Sequence, residues 1–191
     1  MGATLQDLFS NRALRKFLYR TRYLLAVLLV VPLARYMDPA WLPAAVGISL
    51  FGQLIQAWCF ASLVKNLELS VRGPYLLARN PMYLGRFFLI LGFVCLIGRP
   101  LAIVAYTAVY YLYMVTRVKR EERRLRRVFG DEYERYCREV RRFLPSLSRL
   151  GDPAVRFFDS EMFLQNHGHW NILLTLAAYA AVYAIHVLAF S

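Results

Sequence analysis

"VRGPYLLARNPMYLGRF", Val71 to Phe87, is a polar, proline-punctuated stretch set between long apolar runs. Pro74 and Pro81 fix φ and bias Gly73 and Asn80 away from helix, while Gly73 and Gly85 permit close approach of backbone. The spacing therefore predicts a rigid loop that feeds a helix. Beside a membrane, non-helical backbone is tolerated only where it is buried in protein or lines a cavity. Arg79, Asn80 and Tyr83 thus become candidates for holding a polar ligand. The plainer alternative is a capped turn at the start of a helix.

The surroundings decide the class. The chain has 191 residues, of which 59% are hydrophobic and 19% charged, a composition too apolar for an ordinary soluble domain of this length. It reads as an all-α polytopic membrane protein, a single integral membrane domain over residues 1–191. The formal net charge is +12, but the basic residues sit beside apolar segments, which favours anionic lipid headgroups over nucleic acid as the partner. Cys59, Cys95 and Cys137 are far apart and lack the paired spacing of a zinc site or a disulfide framework, so they read as packing residues. The basic cluster from Arg12 to Arg22 precedes an apolar run without a small-x-small cleavage site and reads as a retained anchor. "MGATLQ" lacks the Ser or Thr that myristoylation favours at position six.

A helical span needs about 20 mostly apolar residues, because every backbone polar group must pair within the segment. The candidates are Tyr23 to Met37, Trp41 to Val64, Tyr83 to Ile97, Leu101 to Thr116 and Asn171 to Ser191, about five transmembrane helices. Tyr83 to Ile97 and Leu101 to Thr116 are joined by "GRP" and read as a helical hairpin. With a cytoplasmic N-terminus, all of the 24 Lys and Arg residues except Arg35 and Arg99 fall on the cytoplasmic side, as the positive-inside rule demands. The Val71–Phe87 stretch and the charged segment from Arg117 to Arg149 then share that face. Residues 150–170 mix aromatic and polar side chains and read as interfacial, with Trp170 as a boundary anchor.

The charged segment begins "RVKREERRLRRVFGDEYERYCREVRRFLP". Apolar or aromatic residues at 118, 125, 129, 133, 136 and 140 follow near-helical spacing, for which a cytosolic-face amphipathic helix on acidic lipid is the plainer reading; "FGDEYERY" resists it by inserting a Gly and then a second helical turn rich in Tyr. Glu121 and Glu122 stand out as adjacent acids amid positive charge, where a spanning helix leaves the membrane. Adjacent helical residues point about 100° apart, so one of the two faces any given pocket, with Glu122 the preferred choice. A surface ion pair with nearby arginines is the alternative.

"GPYLLARNPMYLG", followed some 35 residues later by "EERRLRRVFGDEYERY", resembles the isoprenylcysteine carboxyl methyltransferase and phospholipid methyltransferase group of integral membrane enzymes. The pattern there runs GxYxxxRHPxYxG, a helical hairpin, then EExxLxxxFGxxYxxY. The resemblance covers roughly Val71 to Pro145, with the cofactor region at about 71–145. It implies an S-adenosylmethionine-dependent methyltransferase acting on a lipid or lipidated acceptor, either a phospholipid amine or an isoprenylcysteine carboxylate. Carried over by position, Gly73 and Tyr75 would shape the loop, Arg79, Asn80, Pro81 and Tyr83 would line the cofactor pocket, and Glu121 and Glu122 would close it. These side chains suit such a cofactor, with acids for the ammonium and sulfonium, arginine for the carboxylate, and an aromatic ring for base or ribose. Arg86 is the candidate for positioning an anionic acceptor.

One residue departs from the pattern: Asn80 stands where the group has His. Asn still offers an amide donor and acceptor but carries no proton near neutral pH, which puts acid–base work at that position in doubt. A membrane reductase related to sterol reductases, using NADPH, is the runner-up, since its corresponding segment resembles this one with an HPxY motif and a similar "YxxYC…P" ending, but such enzymes commonly place an acid where Arg86 stands. A non-catalytic lipid-binding membrane protein is the remaining alternative. His167 and His169 lack a third metal ligand nearby, so no metal is expected. His186, within an apolar helix, is expected to bond across helices as a neutral imidazole.

Overall fold

The computed structural model describes residues 28–64 and 68–190. The basic cluster from Arg12 to Arg22, and the first part of the apolar run that follows it, lie outside these residues.

Residues 28–35 are helical (α1). Asp38 ends the link to the next helix by accepting from Ala40 N at 3.0 Å, and its own N–H donates to the Leu96 carbonyl at 2.8 Å. Leu42–Phe60 forms α2, Pro81–Cys95 α3, Pro100–Glu139 α4, Ser160–Gln165 α5 and Gly168–Ala189 α6. The helices 39–60, 100–139 and 168–189 are long and apolar enough to cross a membrane, while α3 is a shorter apolar helix of 15 residues. Leu101, Leu174 and Leu188 are among the large apolar side chains left exposed on α4 and α6, as expected of surfaces that meet lipid.

α2 and α3 pack backbone against backbone. A Cβ at Gly52 would run into Leu89 N and meet the Gly85 carbonyl, and one at Gly92 would run into Ser49 Oγ and the Ala45 carbonyl. Small residues at such positions are how helices associate where lipid removes the hydrophobic drive. α6 joins by side-chain bonds: Gln53 Nε2 donates to Asn171 Oδ1 at 2.7 Å, Tyr179 OH donates to the Ala45 carbonyl at 2.9 Å, and the Tyr179 ring stacks on Phe93 with centroids 4.2 Å apart. His186 Nδ1 lies 2.9 Å from the Ala34 carbonyl. A carbonyl only accepts, so the ring must carry its proton on Nδ1, and the expected interhelical bond is present.

The segment 147–167 closes the C-terminal end of α2. Asp159 N donates to the Ala61 carbonyl at 3.1 Å, and the Asn166 amide donates to the Phe60 and Leu63 carbonyls at 2.8 and 2.9 Å. These contacts satisfy carbonyls that a helix end leaves unpaired. They also end α2 at Phe60, short of Val64.

The amphipathic segment is continuous with the spanning helix. Residues 100–129 rise on the order of 45 Å at about 1.5 Å each, more than a hydrocarbon core of about 30 Å, so α4 projects beyond the membrane. Gly130, at φ 50° and ψ −123°, breaks the helix and sends residues 131–139 back along it. Arg126 bonds Glu134 at 2.7 Å and covers the Tyr133 ring at 5.8 Å. Tyr133, Tyr136 and Val140 are buried against Leu69, Leu125 and Phe129. The aromatic residues of the stripe thus form a small core of their own.

Candidate functional site

The Val71–Phe87 stretch is held at both ends. Gly73 sits at φ +57°, where L side chains are strained, and a Cβ there would collide with Ser62 Oγ and approach Trp58 Nε1 to 3.2 Å. Pro74 starts a short 3-10 turn over Gly73–Leu76. Tyr75 is half-buried within it, and the burial of its phenol group pushes that group well above its ordinary value, so it stays neutral. Tyr136 OH donates to the Tyr75 carbonyl at 2.7 Å. Pro81 opens α3, where its missing N–H costs nothing.

After Glu139 the chain returns as a strap, residues 140–146. Arg79 N donates to the Arg141 carbonyl at 2.8 Å and Ser146 N to the Leu77 carbonyl at 2.9 Å. The Asn80 amide donates to the Arg142 carbonyl at 3.3 Å. Asn80 therefore works as a tie between motif and strap, a role that needs a donor and no titrating proton.

Motif, α3 and α4 enclose a cavity of about 330 Å3. Tyr75, Arg79, Asn80, Tyr83, Arg86 and Glu121 line it, joined by Arg117, Leu125, Val128, Phe129 and Tyr136. Tyr83 OH donates to Glu121 Oε2 at 2.7 Å, and Tyr110 OH donates to the Tyr83 carbonyl at 2.7 Å, which fixes the start of α3 against α4. The Arg86 guanidinium lies 5.7 Å from the Tyr83 ring centroid, within cation–π reach. One wall is thus acid, phenol and guanidinium, and another is apolar and aromatic.

The preference for Glu122 as the pocket-facing acid is overturned. Glu122 is 1% exposed and turned away, its oxygens bonded by Arg142 Nε at 3.1 Å and Arg142 Nη2 at 2.7 Å. Arg79 Nη1 stands 3.5 Å from the same carboxylate and donates to Cys137 Sγ at 2.6 Å. The pair is therefore split as the 100° offset requires, with Glu121 at the cavity and Glu122 in a buried ion cluster beneath it. Gly73 and Pro81 shape the loop without lining the cavity.

Two arginines escaped the sequence reading. Arg117 lies one helical turn before Glu121, a spacing that places both on one face of α4 and was open to inference. Arg142 carries no local signal, because its role depends on where the strap returns. His167 and His169 stand at the start of α6, and among the described residues no group of three or more His, Cys, Asp and Glu is gathered.

Residues 45–132 match the family model described as phospholipid methyltransferase. Among curated proteins, the chain is 37% identical over 78 residues to a probable protein-S-isoprenylcysteine O-methyltransferase of Oryza sativa subsp. indica, covering 41% of each protein. It is 34% identical over 108 residues to the protein-S-isoprenylcysteine O-methyltransferase of Xenopus laevis, covering 50% of this chain and 38% of that one. A longer stretch, 158 residues at 26% identity, is similar to the nickel-cobalt-cadmium resistance protein NccN of Alcaligenes xylosoxydans xylosoxydans, covering 78% of this chain and 74% of that one. The chain spans about two fifths of the length of the rice relative it matches. No solved structure matches the chain.

Proposed function

Because residues 45–132 of this chain belong to the phospholipid methyltransferase family, we propose that it transfers a methyl group from S-adenosylmethionine to a lipid or lipidated acceptor at the cytosolic face of a membrane. The observation that carries the reading is the Tyr83–Glu121 bond of 2.7 Å at the wall of the cavity between motif and α4. It brings together two residues, 38 positions apart, that the motif pattern predicts as pocket residues.

The donor set fits the cofactor. When bound, S-adenosylmethionine supplies a methyl group already activated on a sulfonium, so no side chain need serve as nucleophile. Glu121 offers the negative charge that an ammonium or sulfonium requires. Arg79 Nε is buried without a hydrogen-bond partner and, with Arg117, offers donors for a carboxylate. Tyr75 and Phe129 offer aromatic surface. A cavity of about 330 Å3 lies at the lower end of the roughly 300–1,000 Å3 typical of small-molecule sites. The protein's work is to align reactants and exclude water, which the strap serves by holding the motif rigid.

The cytosolic placement rests on the distribution of Lys and Arg, and the basic residues of α4 beyond the membrane and of the strap are suited to anionic headgroups. A ligand stabilises the state that binds it. Thermal unfolding of the detergent-solubilised chain should therefore shift upward with S-adenosylmethionine and not with NADPH, and a radiolabelled methyl donor should label a lipid-extractable product in membranes. A shift with NADPH alone would replace the proposal by a reductase; indifference to both would favour a non-catalytic lipid-binding protein.

A further inference from the structure

The strap faces two ways. Toward the protein, its Arg141 and Arg142 carbonyls accept from Arg79 N and the Asn80 amide, so two residues of the cavity wall hang from it. Away from the protein it carries Leu144 and, just past its end, Leu147, which are 71% and 70% exposed. Leu150 follows at the same interval and is exposed as well. Large apolar side chains bared in such a run mark a surface that something else covers.

What covers it follows from its level in the membrane and its charge. Gly130 turns the chain back along α4, which returns the strap toward the spanning helices. Phe143, next to Leu144, stands with Leu84, Phe87, Tyr110, Tyr111 and Met114 around an apolar groove on α3 and α4. The segment that follows bonds to the end of α2 and runs into α6 at Gly168. It therefore lies level with the ends of two spanning helices, the depth of lipid headgroups. Arg141, Arg149 and Arg156 are interspersed with the leucines, and among the described residues none of the three enters an ion pair. The acid between them, Asp152, is occupied in accepting from Ala154 N at 2.9 Å. Leucines and arginines interspersed at headgroup depth fit an anionic leaflet; a soluble partner would have to displace lipid to reach them.

Resting on the methyltransferase reading above, we propose that the strap makes the cofactor cavity responsive to the lipid around it. An anionic leaflet takes up Leu144, Leu147 and Leu150, pairs its phosphates with the three arginines, and thereby tightens the cavity for S-adenosylmethionine. Two states of the strap carry the effect. Docked, it lies against both motif and leaflet and holds Arg79 and Asn80 in the wall; lifted, it releases them. Leaflet and cofactor each favour the docked state, so each strengthens the binding of the other by the same factor.

The test is calorimetric titration of S-adenosylmethionine into the full chain in nanodiscs, one set of phosphatidylcholine alone and one of phosphatidylcholine and phosphatidylglycerol in equal parts. Affinity should rise about tenfold in the charged discs, within the usual range of coupling between sites, and the gain should shrink at high salt, which screens exposed charges. Leu144→Ser with Leu147→Ser removes the insertion, and Arg149→Gln with Arg156→Gln removes charge. Each pair should bind as the wild type does in phosphatidylcholine and lose most of the gain. A pair that no longer binds there has lost its fold, and the other pair then decides. Arg99→Gln, in the turn before α4 at the opposite end of the bundle, should keep the whole gain. Equal wild-type affinity in the two kinds of disc, or a gain that the folded pairs retain, would overturn the lipid response and leave the leucines to a soluble partner or a second copy of the chain. No binding of S-adenosylmethionine in either disc would overturn the methyltransferase reading and this inference together.

Discussion

The two halves of this molecule are held together by opposite means. Within the membrane, α2 and α3 meet through Gly52, Gly85 and Gly92, backbone on backbone, with no room for a side chain. At the end where α4 leaves the apolar bundle, motif, α4 and strap are laced by hydrogen bonds and by the Arg79–Glu122–Arg142 cluster. Each solution follows from its solvent. Lipid offers no hydrophobic gain for helix association, so close packing must supply it. Next to water, apolar packing and ions are both available, and a polar cavity can be built from what remains.

That contrast can be broken from either side. The largest effect is expected of Gly52→Leu, whose side chain would have to occupy the space of the Leu89 and Gly85 backbone; the chain should fail to yield folded, monodisperse protein in detergent, as judged by size-exclusion chromatography. Glu122→Ala comes next. It strands two arginines, one of them 11% exposed and the other 38%, and should lower stability by about 3 kcal/mol, the low end for breaking a buried pair because Arg142 retains water; chemical unfolding measures it. Glu121→Gln should leave unfolding nearly unchanged but reduce S-adenosylmethionine affinity roughly tenfold or more, as the loss of a charge-assisted contact predicts. A fall in stability equal to that of Glu122→Ala, with affinity retained, would reverse the roles assigned to the two acids.

Asn80→Ala removes one bond, to the Arg142 carbonyl at 3.3 Å, and should cost about 1 kcal/mol. Proteolysis within 140–146 would report a loosened strap. The smallest effect is expected of Arg126→Ala. Its pair with Glu134 is 40% and 46% exposed, so screening by solvent leaves under about 1 kcal/mol, readable as a slight shift in thermal unfolding.

Much of the site is legible in the sequence. Pro74, Pro81, Arg79, Asn80 and Tyr83 belong to one short segment whose stiffness is a local property, and the cavity does lie against it. Glu121 and Glu122 are legible as a pair because two acids in a basic stretch are anomalous in themselves. Which of them faces the cavity is not. That choice turns on Arg142, twenty residues further on, and on a strap whose course no local propensity encodes. The amphipathic stripe is legible only in part: its helical spacing and the Gly that interrupts it are local, but that Gly130 folds the stripe onto itself so that its aromatics meet each other depends on contacts in space.

The sequence by itself determined the apolar helices, the rigid motif and the chemistry of its side chains, because hydropathy, proline geometry and residue type act over a few positions. Only the tertiary structure decided that α4 runs past the membrane and turns back, that Glu122 is a buried strut while Glu121 lines the cavity, and that Asn80 ties motif to strap. Those outcomes depend on burial and on partners distant in the chain, and a charged group becomes strut or ligand only once its neighbours in space are set.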